Sequence, residues 1–137
     1  MKQIIYTSIA DAGLRADDIT SILQSARRNN AERGVTGLLL YNEHFFCQCL
    51  EGEAEHVDAI YKKIQLDWRH HDLMVYLTRS IDARDFADWS MGFVDGSNPN
   101  MIALLEKHGM RAGFLPHTAV GPNQLELLKQ SRQFVAA

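Results

Sequence analysis

Tyr6, Asn30, Gln48, Arg69 and His70 are phenol, amide, guanidinium and imidazole side chains set within or at the end of otherwise apolar runs. Gln48 sits in the middle of Phe45-Phe46-Cys47-Gln48-Cys49-Leu50, where an amide without partners costs about 1–3 kcal/mol. Asn30 continues the stripe Ile19, Leu23, Ala26, and Arg69 and His70 follow the stripe of a second helix. Each has an ordinary explanation alone: a core tyrosine with one partner, a fraying helix end, a solvent face of a strand, a surface arginine. Together they suit a flat heteroaromatic ligand with donors and acceptors along one edge. A carboxamide offers both groups, a guanidinium donates to a carbonyl or a phosphate, and aliphatic side chains take the faces of the ring.

Other chemistries find less support. The chain has no G-x-S-x-G, H-E-x-x-H, P-loop or G-x-G-x-x-G. His70-His71 are adjacent and do not share a face on either regular element, so they make a poor metal pair. Cys47 and Cys49 sit at strand spacing, with Cα atoms about 6.5 Å apart, near the limit for a disulfide. With no second cysteine pair they read as small apolar residues in a reducing compartment.

The elements that must position these groups follow from periodicity. "QIIYTSI" (3–9) is rich in β-branched and aromatic residues and reads as a strand, with Ile4, Tyr6 and Ser8 on one face. A helix carrying the Ile19 stripe, with Ile22 beside it, ends at Gly34. "VTGLLLY" (35–41) is a central strand, "NEH" (42–44) a tight turn and "FFCQCL" its hairpin partner. Residues 53–68 form a second amphipathic helix, with Val57, Ile60, Tyr61, Ile64 and Trp68 on one stripe. "DWRHHD" is irregular, "LMVYLTRSI" (73–81) is a fourth strand, and "WSMGFV" (89–94) a fifth on which Trp89 and Met91 alternate. The order β-α-β-β-α-β is the ferredoxin-like α+β fold with an extra fifth strand. "DGSNPN" marks a boundary, giving a domain over 1–95 and a C-terminal helical extension over 96–137. The extension holds a short helix, a Gly/Pro-punctuated loop (109–122) and a last helix over about 124–135. Its apolar residues, among them Leu104, Leu105, Leu127, Leu128 and Phe134, are expected to cover the open sheet face rather than form a dimer seam.

With 137 residues, 46% of them apolar, the chain is of ordinary globular composition and long enough to bury a core without staples. A net charge of −3 argues against direct contact with nucleic acid or an anionic membrane. No signal-peptide pattern or membrane-length run appears, so a cytoplasmic protein is expected.

Five blocks in order, "IIYTS", "ARRNNAERGVTGLLLY", "FFCQCLEG", "DWRHHD" and "FADWSMGF", resemble the BLUF domains, blue-light sensors that use FAD; the resemblance covers about residues 1–95. It implies noncovalent FAD. Tyr6 and Gln48 would be the pair whose hydrogen bonds reorganise after excitation, with Tyr6 as electron and proton donor and the Gln48 amide left rotated or tautomerised. Asn30, with Asn29 nearby, would bond the O4/N3 edge of the ring. Arg69 and His70 would approach the O2 side, and Ile22 and Ile64 would sandwich the ring. Trp89 and Met91 would be the exchangeable neighbours of Gln48, and Ser8 would support the Tyr6 face. The residues beside Gln48 depart from the family, which more often carries larger aliphatics where Cys47 and Cys49 stand. The extension is too short for a cyclase or phosphodiesterase, which implies a short stand-alone member that is no enzyme itself. It would signal to a partner protein, with a homo-oligomer possible. The alternative is a ferredoxin-like small-molecule-binding or regulatory module without photochemistry. An acylphosphatase-like hydrolase lacks the phosphate nest it would need after strand one.

Overall fold

The computed structural model describes residues 1–42, 44–108 and 121–135, with only the backbone of 121–124. Among the described residues nine helices and strands carry the fold: β1 (Lys2–Ala10), α1 (Ala16–Arg33), β2 (Thr36–Tyr41), β3 (Phe45–Gly52), α2 (Ala54–Gln65), β4 (His70–Ser80), β5 (Gly92–Asp95), α3 (Pro99–Lys107) and α4 (Gly121–Ser131). A 3₁₀ turn, Arg132–Phe134, follows α4. The strands form one sheet in the order β4-β1-β3-β2-β5. β1 lies antiparallel between β4 and β3, β3 pairs antiparallel with β2, and β5 adds to β2 in parallel. This is the expected split βαβ arrangement with its extra strand on one edge.

Local chemistry explains the corners. Gly34 ends α1 at φ 65°, a left-handed conformation that glycine adopts without a Cβ clash. At the β2–β3 corner, Asn42 Oδ1 accepts from the backbone N–H of His44 at 2.8 Å and of Phe45 at 3.1 Å, fixing the hairpin. Gly37 is required for contact: a Cβ there would lie 2.0 Å from the Cys49 carbonyl oxygen. The Gly37 N–H donates to the Trp89 carbonyl at 3.1 Å.

Period-two alternation gives the sheet two buried faces. One face, with Ile4, Leu39, Phe46, Leu50 and Met91, packs under α1 and α2 through Ile19, Leu23, Val57 and Ile60. The other, with Ile5, Leu38, Phe45, Cys47 and Cys49, is covered by Phe86, Met101, Leu105, Leu127 and Leu128. The C-terminal helices thus lie over the sheet within the same chain. The Gly/Pro-punctuated loop expected at 109–122 falls outside the described residues as far as position 120.

Three expectations are corrected. The second helix ends at Gln65, not at 68, so Trp68 leaves the stripe. β4 begins at His70, so "HHD" belongs to the strand; two register shifts against β1 accommodate it, one of them between Thr7 and Ile9, and Asp72 takes φ 53° in the same stretch. β5 begins only at Gly92, so Trp89 and Met91 precede the strand instead of alternating along it.

Candidate functional site

Between α1, α2 and the sheet lies a cleft with about 780 Å³ of atom-free space, counting its open mouth. Its floor is set by β-strand alternation: Tyr6 of β1, Leu39 of β2, and Phe46 and Gln48 of β3 all face the same way and are buried. Its walls come from helical spacing: Ile22, Asn29 and Asn30 of α1 face Ile60 and Ile64 of α2. Lys63, Asp67 and Arg69 complete one side.

Tyr6 and Gln48 are direct cross-strand partners, and the Tyr6 hydroxyl donates to Gln48 Oε1. Gln48 Nε2 donates to Met91 Sδ at 3.3 Å, a thioether and therefore a weak acceptor. Burial, reinforced by Tyr61, Cys47 and Asp67 nearby, pushes the Tyr6 phenol well above its ordinary range and keeps it protonated. Tyr61 packs edge-on against Tyr6 with ring centroids 5.3 Å apart.

Asn30 is buried, and its Nδ2 donates to the Ser90 carbonyl at 2.7 Å. Its Oδ1 is a buried acceptor without a hydrogen-bond partner. Such a group carries a desolvation cost unless a ligand donor meets it. On the opposite side, Arg69 grips Asp67, its Nε donating to Oδ1 at 2.9 Å and its Nη2 to Oδ2 at 2.7 Å. Burial works to raise the Asp67 carboxyl pKa, but the bonds from Arg69 outweigh it and hold it below its usual value. His70 Nε2 lies 2.7 Å from the Ile64 carbonyl, which can only accept, so the proton sits on Nε2. His70 Nδ1 pairs with the Ser8 hydroxyl at 2.7 Å.

Of the residues singled out from sequence, Tyr6, Ile22, Asn29, Asn30, Gln48, Ile64, Arg69 and His70 line the cleft together. Ser8 does not line it and reaches it only through His70. Met91 is buried against the Gln48 amide, whereas Trp89 packs with the cluster under the C-terminal helices. Sequence reasoning missed Lys63 and Asp67, although each adjoins or nearly adjoins a chosen residue, Ile64 and Arg69. Among the described residues no group of histidine, cysteine and acidic side chains could hold a metal ion. No helix of the described residues is long and apolar enough to cross a membrane.

A ferredoxin-like sheet with a cleft between two helices, whose floor carries Tyr6 and Gln48 beside Leu39 and Phe46, suits a planar, edge-bonded cofactor. The chain belongs to the BLUF family, sensors of blue-light using FAD, whose model matches residues 1–92. FAD is the chromophore of that family. The donor set fits it: Asn30 Oδ1 lacks a donor such as the N3–H of an isoalloxazine ring, and Ile22 and Ile64 offer apolar faces. The Blue light- and temperature-regulated antirepressor BluF of Escherichia coli (strain K12) is 34% identical over 96 residues, covering 67% of this chain and 24% of that protein. The photoactivated adenylate cyclase subunit beta of Euglena longa is 34% identical over 89 residues, covering 64% of this chain and 10% of that protein. The chain thus spans a small part of the length of these relatives. The solved structure of BlsA in its photo-activated state matches with a TM-score of 0.85 at 32% identity, over 95% of this chain and 93% of that one.

Proposed function

We propose that this chain is a blue-light photoreceptor in which the Tyr6–Gln48–Met91 line on the cleft floor is the switch. The observation that supports this best is the placement of Gln48 between a phenol donor and a thioether acceptor, facing the cleft. When bound, FAD supplies blue-light absorption and an electron acceptor. Asn30 and Asn29 would hold one polar edge of its ring, Arg69 and His70 the other, and Ile22 and Ile64 its faces. Tyr6 would serve as donor, its hydroxyl bonded to Gln48 Oε1. Gln48 can exchange donor for acceptor, by rotation or tautomerisation of its amide, and so re-pair with Tyr6. Ser8 fixes the imidazole of His70 and supports the site from outside the cleft.

A changed Gln48 amide bears directly on Met91, and through it on the segment that leads into β5. Arg27 Nε holds the Met91 carbonyl at 3.0 Å, and Asn30 holds that of Ser90. A few re-paired hydrogen bonds suffice to bias a two-state element of this kind. The region 96–137 would act as the output extension of a light-sensing domain over 1–95. It would act on a partner protein and carry no catalysis of its own. Two free cysteines, Cys47 and Cys49, fit a cytoplasmic setting.

The deciding experiment is an absorption spectrum of the purified protein before and after blue light, repeated with Gln48→Ala. A yellow protein with a reversible red shift that the substitution abolishes is expected. A colourless protein that takes up no added flavin sinks the reading in favour of a regulatory module without photochemistry.

A further inference from the structure

The segment that leads into β5 carries Trp89 on one face of the sheet and Met91 on the other. Trp89 lies over Gly92: a Cβ on that glycine would stand 3.2 Å from Trp89 Cδ2 and 2.7 Å from Leu38 Cδ1. Met91 is buried, its sulfur against the Gln48 amide. The chain bends at Ser90 and Met91, and β2 pairs with β5 only from Gly92 onward.

Three neighbours take the three carbonyls of this segment in turn. The Gly37 N–H of β2 donates to that of Trp89 at 3.1 Å, Asn30 Nδ2 to that of Ser90 at 2.7 Å, and Arg27 Nε to that of Met91 at 3.0 Å. Arg27 and Asn30 stand three positions apart on α1, so one helix face presents both donors. Their surroundings differ. Asn30 lines the cleft, and Arg27 does not. Loss of Asn30 therefore disturbs the cofactor site and the segment together, whereas loss of Arg27 bears on the segment alone. The Arg27 donor is charged, and a charged donor makes the stronger kind of hydrogen bond. It fixes the backbone of the residue whose Sδ takes the Gln48 Nε2 bond.

We infer that Arg27 is a positioning residue of the switch: its bond to the Met91 carbonyl sets how firmly the thioether is held against the Gln48 amide. The inference rests on the light-sensing reading above and adds to it a residue outside the cleft, acting through the Met91 backbone. The bond holds the arrangement present before illumination. Removing it favours the rearranged segment and slows the return.

The test uses Trp68→Phe as the parent protein, which leaves Trp89 as the only tryptophan of the chain. Into it go Arg27→Met, which keeps an aliphatic stem but no donor, and Arg27→Lys, which restores a cationic donor. Circular dichroism checks that all three fold. In the apoprotein, Arg27→Met should raise the quenching of Trp89 fluorescence by acrylamide about twofold, as the segment loosens. Loaded with FAD, the same variant should keep the flavin Kd of the parent and recover in the dark about tenfold more slowly, the scale of one charge-assisted hydrogen bond. Arg27→Lys should restore most of both effects. Unchanged quenching, a recovery no slower than that of the parent, or a weakened flavin Kd overturns the inference. A parent protein that binds no flavin sinks the light-sensing reading and the inference with it, and the parent alone tells that outcome from the others.

Discussion

Met91 Sδ accepts the hydrogen bond of Gln48 Nε2 at 3.3 Å, so the amide that accepts the Tyr6 hydroxyl's bond on one side rests on a soft, weak acceptor on the other. A weak partner is easily given up, which suits an amide that must change its bonding.

Met91→Leu keeps a similar volume but removes the sulfur. It should cost less than about 1.5 kcal/mol of stability and leave the protein yellow, while changing the rate of dark recovery. Met91→Ala, which empties a fully buried position, should cost about 2–5 kcal/mol. Chemical denaturation and the decay of the light-induced spectrum measure the two effects; an unchanged recovery in both variants removes Met91 from the switch.

Tyr6→Phe retains the ring that packs against Tyr61 but strips Gln48 Oε1 of its donor. The variant should fold with a loss of about 1–2 kcal/mol, bind flavin, and show no light-induced red shift. Normal photocycling would dismiss Tyr6 as the donor.

Glu51 is a buried carboxylate at the centre of a knot on the opposite face. Its Oε2 accepts from Gln3 Nε2 and the Asp85 N–H, both at 2.8 Å, and its Oε1 from the Phe86 N–H at 2.8 Å. Gln3 Nε2 also donates to Asp85 Oδ2 at 2.8 Å, and Arg79 donates to both residues. Glu51→Ala orphans several buried donors at once and should destabilise the fold by about 2–4 kcal/mol. Arg132→Ala, which removes two exposed bonds, to the Asp85 carbonyl at 3.0 Å and the Lys129 carbonyl at 3.2 Å, should cost under about 1 kcal/mol. Equal effects in urea melts would refute the ranking.

Alkaline pH should weaken the fold well before it touches the dark-state phenol. Burial pushes Cys47 from 9.0 up to about 12 and raises Cys49 as well. The folded state therefore keeps protons that the unfolded chain releases above pH 9. Stability is fully present below that point and falls as pH rises toward the folded values, by about 1.4 kcal/mol per pH unit for each thiol. Tyr6 is raised too, so the amplitude of the light response should stay flat from pH 6 to pH 9. Cys47→Ala should flatten the alkaline arm of a stability-versus-pH curve; an unchanged slope contradicts the assignment.

Alternation and helical spacing were legible because they are local. The placement of Tyr6 and Gln48 on one face needs only period two, and Asn30 falls on its stripe by period 3.6. What failed depended on contacts distant in sequence. Trp68 continues a perfect stripe, yet the bracing of Asp67 and Arg69 ends the helix before it. Trp89 and Met91 read as strand residues, but their carbonyl neighbourhood is claimed by Gly37, Asn30 and Arg27 instead of a regular ladder. The buried knot of Glu51 and Gln3 was not legible either, because only the fold brings Asp85, 34 positions beyond Glu51, on top of them.

The chain between Asp85 and Met91 is tied down at both ends, with Phe86 packed on one face of the sheet and Met91 on the other. Asp85 and Phe86 are buckled to Glu51 and the terminal turn, while Trp89, Ser90 and Met91 are buckled to β2 and α1. Only Ala87 and Asp88 lie exposed between the two fastenings. All the slack in that strap is two residues long, so a shift at Met91 too large for them to absorb must tug on the far side. The reach of the switch along this route is set by a length of chain, independently of how strongly either end is bound.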